Sequence, residues 1–253
     1  IPISEWELQL LWVPDTTVTE STAPGSSFSL LNAFNDINDI HVDLPDPIKD
    51  SDYGIKASSY INGWDISFNY LYHFIDNPVI FFEPNRQQTI AQYNRSHLIG
   101  ATSSTVFGNT IFRSEIGLET NKRYRNNTFD GFIEMRELAY VLGLDYDGIE
   151  NTFISGQFLQ TIRSEELSYK EKTSEQITLL LQRKYFNEQL LLEGFVIHDI
   201  ENSDSLVQLM AEYQWKTNIL LNIGADYFFG PTTGDFGQYK TENRIYLGST
   251  FSF

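Results

Sequence analysis

The sequence of 253 residues predicts an all-β chain folded as a transmembrane antiparallel up-and-down β-barrel. Three observations carry the prediction. Stretches about as long as a tilted bilayer-crossing strand alternate apolar and polar residues with period two. Aromatic residues reach 15% while mean hydropathy is only −0.28, as expected where every second residue faces lipid. The connections alternate between tight turns and long polar loops, the pattern of periplasmic turns and extracellular loops. A soluble β-sandwich shares the composition but has no reason to sort its connections by length. No run of roughly 20 apolar residues offers a membrane helix.

The elements follow in chain order. "EWELQLLW" sets Trp6, Leu8, Leu10 and Trp12 against Glu7, Gln9 and Leu11. "YGIKASSYIN" ends at Asn62-Gly63, a tight-turn pair. "WDISFNYLYHF" is the clearest strand, with Trp64, Ile66, Phe68, Tyr70, Tyr72 and Phe74 opposite Asp65, Ser67, Asn69, Leu71 and His73. "HLIGATSSTVF" and "TIFRSEIGLET" flank a turn at Gly108-Asn109, and "LAYVLGLDY" and "NTFISGQFLQTIR" flank one at Asp147-Gly148. "ITLLLQRKYF" and "LLLEGFVIHD" flank Asn187-Glu188; in the second, placing Glu193 inward carries Leu191, Phe195 and Ile197 with it, so its phase stays open. "LVQLMAEYQWK" and "ILLNIGADYFFG" flank Thr217-Asn218, and "RIYLGSTFSF" brings alternation down to Phe253. These make about twelve strands, an even number as in bacterial barrels, in a single outer-membrane barrel domain over residues 1–253.

Several chemistries are excluded. There is no cysteine, hence no disulfide, thiolate nucleophile or cysteine metal site. A net charge of −17 repels nucleic acid. No histidine pair has metal-ligand spacing, and no cofactor motif occurs. "GPTTGDFGQ" is glycine-rich but lies between strands, so it reads as a turn-forming loop. The acidic loop with Asp36, Asp39, Asp43, Asp46 and Asp50 lacks the EF-hand pattern and reads as solvated. Charge alone would let such loops meet lipopolysaccharide phosphates through divalent cations. Two residues beyond His41, His73, His97 and His198 stand Asp43, Ile75, Ile99 and Ile200, so the His-x-Ser pattern of barrel phospholipases is absent.

Four stretches, "ELQLLWVPD" with "APGSSF", "DYGIKASSYINGWDISFNYLYHFIDNPV", "VLGLDYD" with "SGQFLQT", and "GADYFFGPTTGDFGQYKTENRIYLGSTFSF", resemble a family of Gram-negative porin-like outer-membrane proteins. That family is known mainly as a domain of unknown function. The order of the stretches is the same, and they match the C-terminal part of the longer family pattern. The closing Phe251 and Phe253 resemble the signal read by the barrel assembly machinery. The resemblance implies the bacterial outer membrane, with lipid and lipopolysaccharide as surroundings. Its implied partners are the barrel assembly machinery during biogenesis and other envelope proteins or further copies of the chain.

A transport function would reside on the inward face. By phase its charged groups include Lys56, Asp65, Arg113, Glu115, Glu119, Arg163, Lys184, Glu212, Lys216 and Asp226, with Glu7, Asp145 and Arg244 beside them and His73 at the pore mouth. The first expectation is a non-enzymatic outer-membrane channel for passive passage of small polar or amphipathic solutes, selective through these charges. The alternative is a non-conducting barrel serving as structural or assembly partner of a periplasmic transfer or electron-transfer system. A barrel hydrolase is the third reading, disfavoured by the missing His-x-Ser.

Overall fold

The computed structural model describes residues 2–3, 5–14, 40–46 and 48–252. In chain order its strands are β1 (Pro2–Ile3), β2 (Trp6–Val13), β3 (Ile40–Asp43), β4 (Asp52–Ile61), β5 (Trp64–Phe74), β6 (Val79–Glu83), β7 (Gln88–Gln92), β8 (Arg95–Phe107) and β9 (Thr110–Arg125). There follow β10 (Phe132–Ile149), β11 (Thr152–Arg163), β12 (Thr173–Tyr185), β13 (Leu190–Asp199), β14 (Asp204–Lys216), β15 (Ile219–Phe229) and β16 (Arg244–Phe251). Among the described residues the one helical element is a single 3-10 turn, Gly237–Tyr239. All twelve predicted stretches are strands. They hydrogen-bond in chain order, with the two-residue β1 as a thirteenth, and β3, β7 and β6 make a separate three-stranded sheet.

The turns explain how the strands are joined. Asn62 and Gly63 both take positive φ (51° and 86°), the twist-matched geometry of a two-residue hairpin. Gly108 (φ 60°) does the same for β8 and β9. The expected turn at Asp147-Gly148 is corrected: β10 runs on to Ile149, and the turn is Glu150-Asn151, with Asn151 at φ 55°. Asp-Gly is a strong local turn signal, but the Asp147 N–H is engaged by the Asn109 carbonyl at 3.1 Å, so extended pairing continues past it. The turn after β12 is wider than Asn187-Glu188, because Phe186 also lies at positive φ (54°).

Contacts divide the chain into two compact units. The first comprises Ile1–Ser103, Glu115–Tyr140 and Thr161–Thr173. Its strands β2, β4 and β5 pair in regular antiparallel register, with Gln9 opposite Lys56 and Lys56 opposite Asn69. One face exposes Leu10, Trp12, Tyr53, Ile55, Phe68 and Tyr70. The other carries Glu7, Gln9, Lys56, Ser58, Asp65, Ser67 and Asn69 by the same alternation. The small sheet has its own core of Val79, Phe81 and Ile90, closed by Phe132 at the start of β10, whose ring meets Phe81 edge-on at 5.6 Å.

The second unit comprises Ser104–Ser114, Val141–Gln160 and Ser174–Phe253. Its apolar face exposes Ile177, Leu179 and Leu181 on β12, Leu209 and Trp215 on β14, Leu221 and Ile223 on β15, and Ile245 and Leu247 on β16. Polar-face residues form cross-strand rows. One row is Lys184, Leu191, Glu212, Asn222 and Gly248; the next is Gln182, Glu193, Met210, Gly224 and Tyr246. The phase of β13 is thereby settled: Glu193 shares the polar face with Gln182, whose Nε2 donates to Glu193 Oε2 at 2.6 Å. Tyr246 lies across Gly224, where a Cβ would come 2.1 Å from its Cζ. Asn222 lies across Gly248 in the same way, and in the first unit Asn69 lies across Gly100. Glycine on the neighbouring strand lets these side chains lie flat along the polar wall instead of standing out from it.

Candidate functional site

The strongest concentration of charge lies at the long-loop end of the first unit. Lys122 Nζ donates to Glu119 Oε2 at 2.8 Å and to Glu137 Oε1 at 2.7 Å. Arg163 Nε sits 3.0 Å from Glu137 Oε2, and the Tyr124 hydroxyl donates to the same carboxylate. His73 turns its Nε2 toward Glu119 Oε1 at 3.5 Å, while its Nδ1 is held by the Phe74 carbonyl at 2.9 Å. Four strands contribute: β5, β9, β10 and β11. Two carboxylates face one ammonium and one guanidinium, so the cluster neutralises itself without counting the imidazole. Its members are largely withdrawn from water, with side-chain exposures of 7% for Arg163 and 12% for Glu137.

Strict alternation would send Lys122 and Tyr124 to the face opposite Glu119. Asn121 prevents this. Its φ of 58° is left-handed, a conformation Asn tolerates better than most residues, and it inserts a one-residue offset into β9. The ladder is interrupted there: the Thr120 carbonyl is taken by Ser96 Oγ and the Asn121 carbonyl by Asn94 Nδ2, each at 2.7 Å. Past the offset, Lys122 and Tyr124 join the Glu119 face, and Arg123 goes to the other, where it meets Glu134 at 3.0 Å. Period-two reading named His73, Glu119 and Arg163 but missed Lys122, Tyr124 and Glu137. An Asn inside a charged strand was the available signal.

The remaining lining candidates fall into paired and solvent-facing groups. In the second unit, Arg113 Nη2 donates to Asp145 Oδ1 at 2.8 Å. Asp226, 1% exposed, is held by Arg244 Nε and by Gln208 Nε2 at 2.9 Å. Lys184 pairs with Glu188 at 3.1 Å, Glu212 is half-buried, and Lys216 is exposed beside the Trp215 ring. In the first unit, Lys56, Asp65 and Glu115 are exposed and, among the described residues, without an ion-pair partner. Phe251 is 62% exposed on the apolar face of β16, and Phe253 lies outside the described residues.

The loops show what their polar groups are used for. Asp46 Oδ1 accepts the N–H groups of Ile48 and Lys49, and Asp50 Oδ2 accepts that of Asp46, so this acidic stretch caps its own turn. Asp36 and Asp39 lie outside the described residues. No group of three His, Asp or Glu able to hold a metal occurs among the described residues. Asp130, between β9 and β10, is held below the usual carboxylate range by the Thr128 hydroxyl and the Asn126 amide. The glycine-rich loop after β15, read from sequence only as a turn-forming loop, closes its backbone N–H groups around the protein's own Asp204. That carboxylate is fully buried and accepts the N–H groups of Phe236 at 2.7 Å and Gly237 at 2.6 Å. His198 Nδ1 meets Ser205 Oγ at 2.8 Å across β13 and β14, a contact invisible to a search for neighbours in sequence. Among the described residues no carboxylate engages the far side of that ring, so the pair lacks the orienting third group of a nucleophilic site.

No protein-family model and no curated protein matches the chain. Among solved structures it is similar to OmpF of Salmonella typhi in complex with daunomycin, with a TM-score of 0.52 at 13% identity over 79% of this chain. It is also similar to a loop-L8 deletion mutant of OmpT, an outer-membrane protein of Vibrio cholerae (TM-score 0.49, 13% identity, 97% of this chain and 74% of that one). A third likeness is to the toluene transporter TodX of P. putida (TM-score 0.37, 12% identity, 80% and 72%). The likeness to OmpF shows the fold: this is an antiparallel β-barrel chain of the outer-membrane kind. It spans 61% of the length of that OmpF chain.

Proposed function

We propose that the chain is an outer-membrane, porin-like channel for passive passage of small polar or amphipathic solutes, belonging to the Gram-negative family that its sequence resembles. One observation carries the reading: the strands sort their residues into an exposed apolar face and a face where charged side chains meet solvent. On the first face Leu247 is 79% exposed, Ile245 70% and Leu10 70%. A monomer in water seldom exposes contiguous apolar patches beyond a few hundred Å², whereas lipid makes such a surface favourable. On the second, Lys56, Asp65, Glu115 and Lys216 are exposed, as a wet passage requires. No covalent step is needed, and selection rests on charge and width.

The test is conductance of the purified protein in planar lipid bilayers. Discrete, ohmic steps are expected. A protein that inserts into the bilayer, keeps its β signature and passes no current would refute the channel. That result would favour a non-conducting barrel that acts as a partner in the envelope.

A further inference from the structure

The first unit's polar face is divided lengthwise by charge. At its long-loop end Glu119 and Glu137 are matched by Lys122 and Arg163 at 2.7–3.0 Å. Toward the tight turns at Asn62-Gly63 and Gly108-Asn109 the balance is different. Glu7, Asp65 and Glu115 are exposed there, and among the described residues none has an ion-pair partner. Between them stand short hydroxyl side chains: Ser58 lies opposite Glu7 and Ser67, and Ser67 Oγ bonds Thr102 Oγ1 at 2.8 Å. Tyr60, itself exposed, stands opposite Asp65, and Gln9 Nε2 donates to Glu7 Oε1 at 3.1 Å; all three carboxylates still reach solvent. Among the described residues the one uncompensated cation of this half is Lys56, a row further along between Gln9 and Asn69.

We propose that this turn-side half is a charge filter that makes the passage prefer cations, so that its solutes are neutral or cationic polar molecules and anions are turned away. The proposal rests on the channel reading. The neutral loop-side cluster sets the shape of the entrance while contributing little field, because its opposite charges lie within hydrogen-bond distance and cancel over the width of a solute. Three carboxylates against one ammonium leave the first unit's turn-side wall with net negative charge. A mobile cation passing about 6 Å from one carboxylate in water is concentrated about threefold by Coulomb attraction alone, and more at low ionic strength.

The experiment is the reversal potential of the full chain in a planar bilayer under a KCl gradient, at low salt. Wild type is expected to favour K⁺. Glu7→Gln, Asp65→Asn and Glu115→Gln, singly, should each lower the K⁺/Cl⁻ permeability ratio by about tenfold, roughly threefold from lost attraction of K⁺ and roughly threefold from lost repulsion of Cl⁻, and together bring it to unity or below. Lys56→Gln should raise it, which keeps the proposal testable if the triple variant fails to assemble. An anion-preferring wild type, or a ratio unmoved by both the carboxylate changes and Lys56→Gln in conducting protein, would overturn the filter and leave the channel standing. Absence of current in the wild type would remove both.

Discussion

Replacing Asp204 by Asn should release the loop that follows β15. Asp204 is 0% exposed, and its two oxygens accept the N–H groups of Phe236 and Gly237. The loop closes on it so tightly that a Cβ at Gly230 would come 2.2 Å from Oδ1, and one at Gly234 2.6 Å from Cγ. Asn is nearly the same size, so packing is kept. What changes is that one acceptor becomes an amide donor facing an N–H, and the remaining hydrogen bond loses its charge. A charge-assisted hydrogen bond contributes about 1.5–3 kcal/mol and a stranded buried donor costs about 1–3 kcal/mol. Allowing for relaxation of the loop, a net loss of about 2–3 kcal/mol is expected, or roughly a 30- to 150-fold larger open population. Lys240 sits on this loop and is exposed. Native-state tryptic cleavage after Lys240, followed by mass spectrometry, reads the open population directly when opening is fast relative to cutting. Cleavage within about twofold of wild type in folded protein would refute the claim that Asp204 holds the loop.

Two further changes test the packing of the walls. Gly224→Ala should lower the urea midpoint in micelles by an amount equivalent to about 1–3 kcal/mol, since the new methyl collides with the Tyr246 ring. Adding Tyr246→Ala should restore part of the loss, and an unchanged midpoint in Gly224→Ala would show that the ring moves aside freely. Glu137→Gln should cost about 2–4 kcal/mol, because Arg163, 7% exposed, loses the carboxylate facing its Nε. A double-mutant cycle with Lys122→Met should give a coupling above about 0.5 kcal/mol, and additive losses would separate the two residues energetically.

Most of the barrel was legible because membrane strands obey a rule that a single sequence displays: alternate residues meet alternate environments. The rows running from Lys184 to Gly248 and from Gln182 to Tyr246 follow from that alternation. Where the rule was broken by one backbone dihedral, reading failed. Asn121 hides the partners of Glu119, and Asn151 moves a turn that Asp147-Gly148 advertises. The sheet of β3, β7 and β6 escaped for another reason. Its strands are only four or five residues long, and although β6 and β7 form a hairpin, β3 joins β7 in parallel from far back in the chain, so no local pattern marks the sheet. The Asp204 cradle was half seen: the glycines announced a loop, but the anion that fills it comes from the strand before.

The left-handed residue in β9 gives the strand two reading frames. Below Asn121 the odd-numbered side chains lie on the polar face; above it the even-numbered ones do. Drawing Asn121 into the extended conformation would leave the composition intact and yet send Lys122 and Tyr124 to the apolar face, with Arg123 and Arg125 turned to the polar one in their place. Frame, rather than substitution, thus decides which cations stand beside Glu119 and Glu137. Gaining or straightening a one-residue offset is the economical route by which a barrel of this kind could rewrite the charges at one end of a strand while the rest of that strand stays as it was.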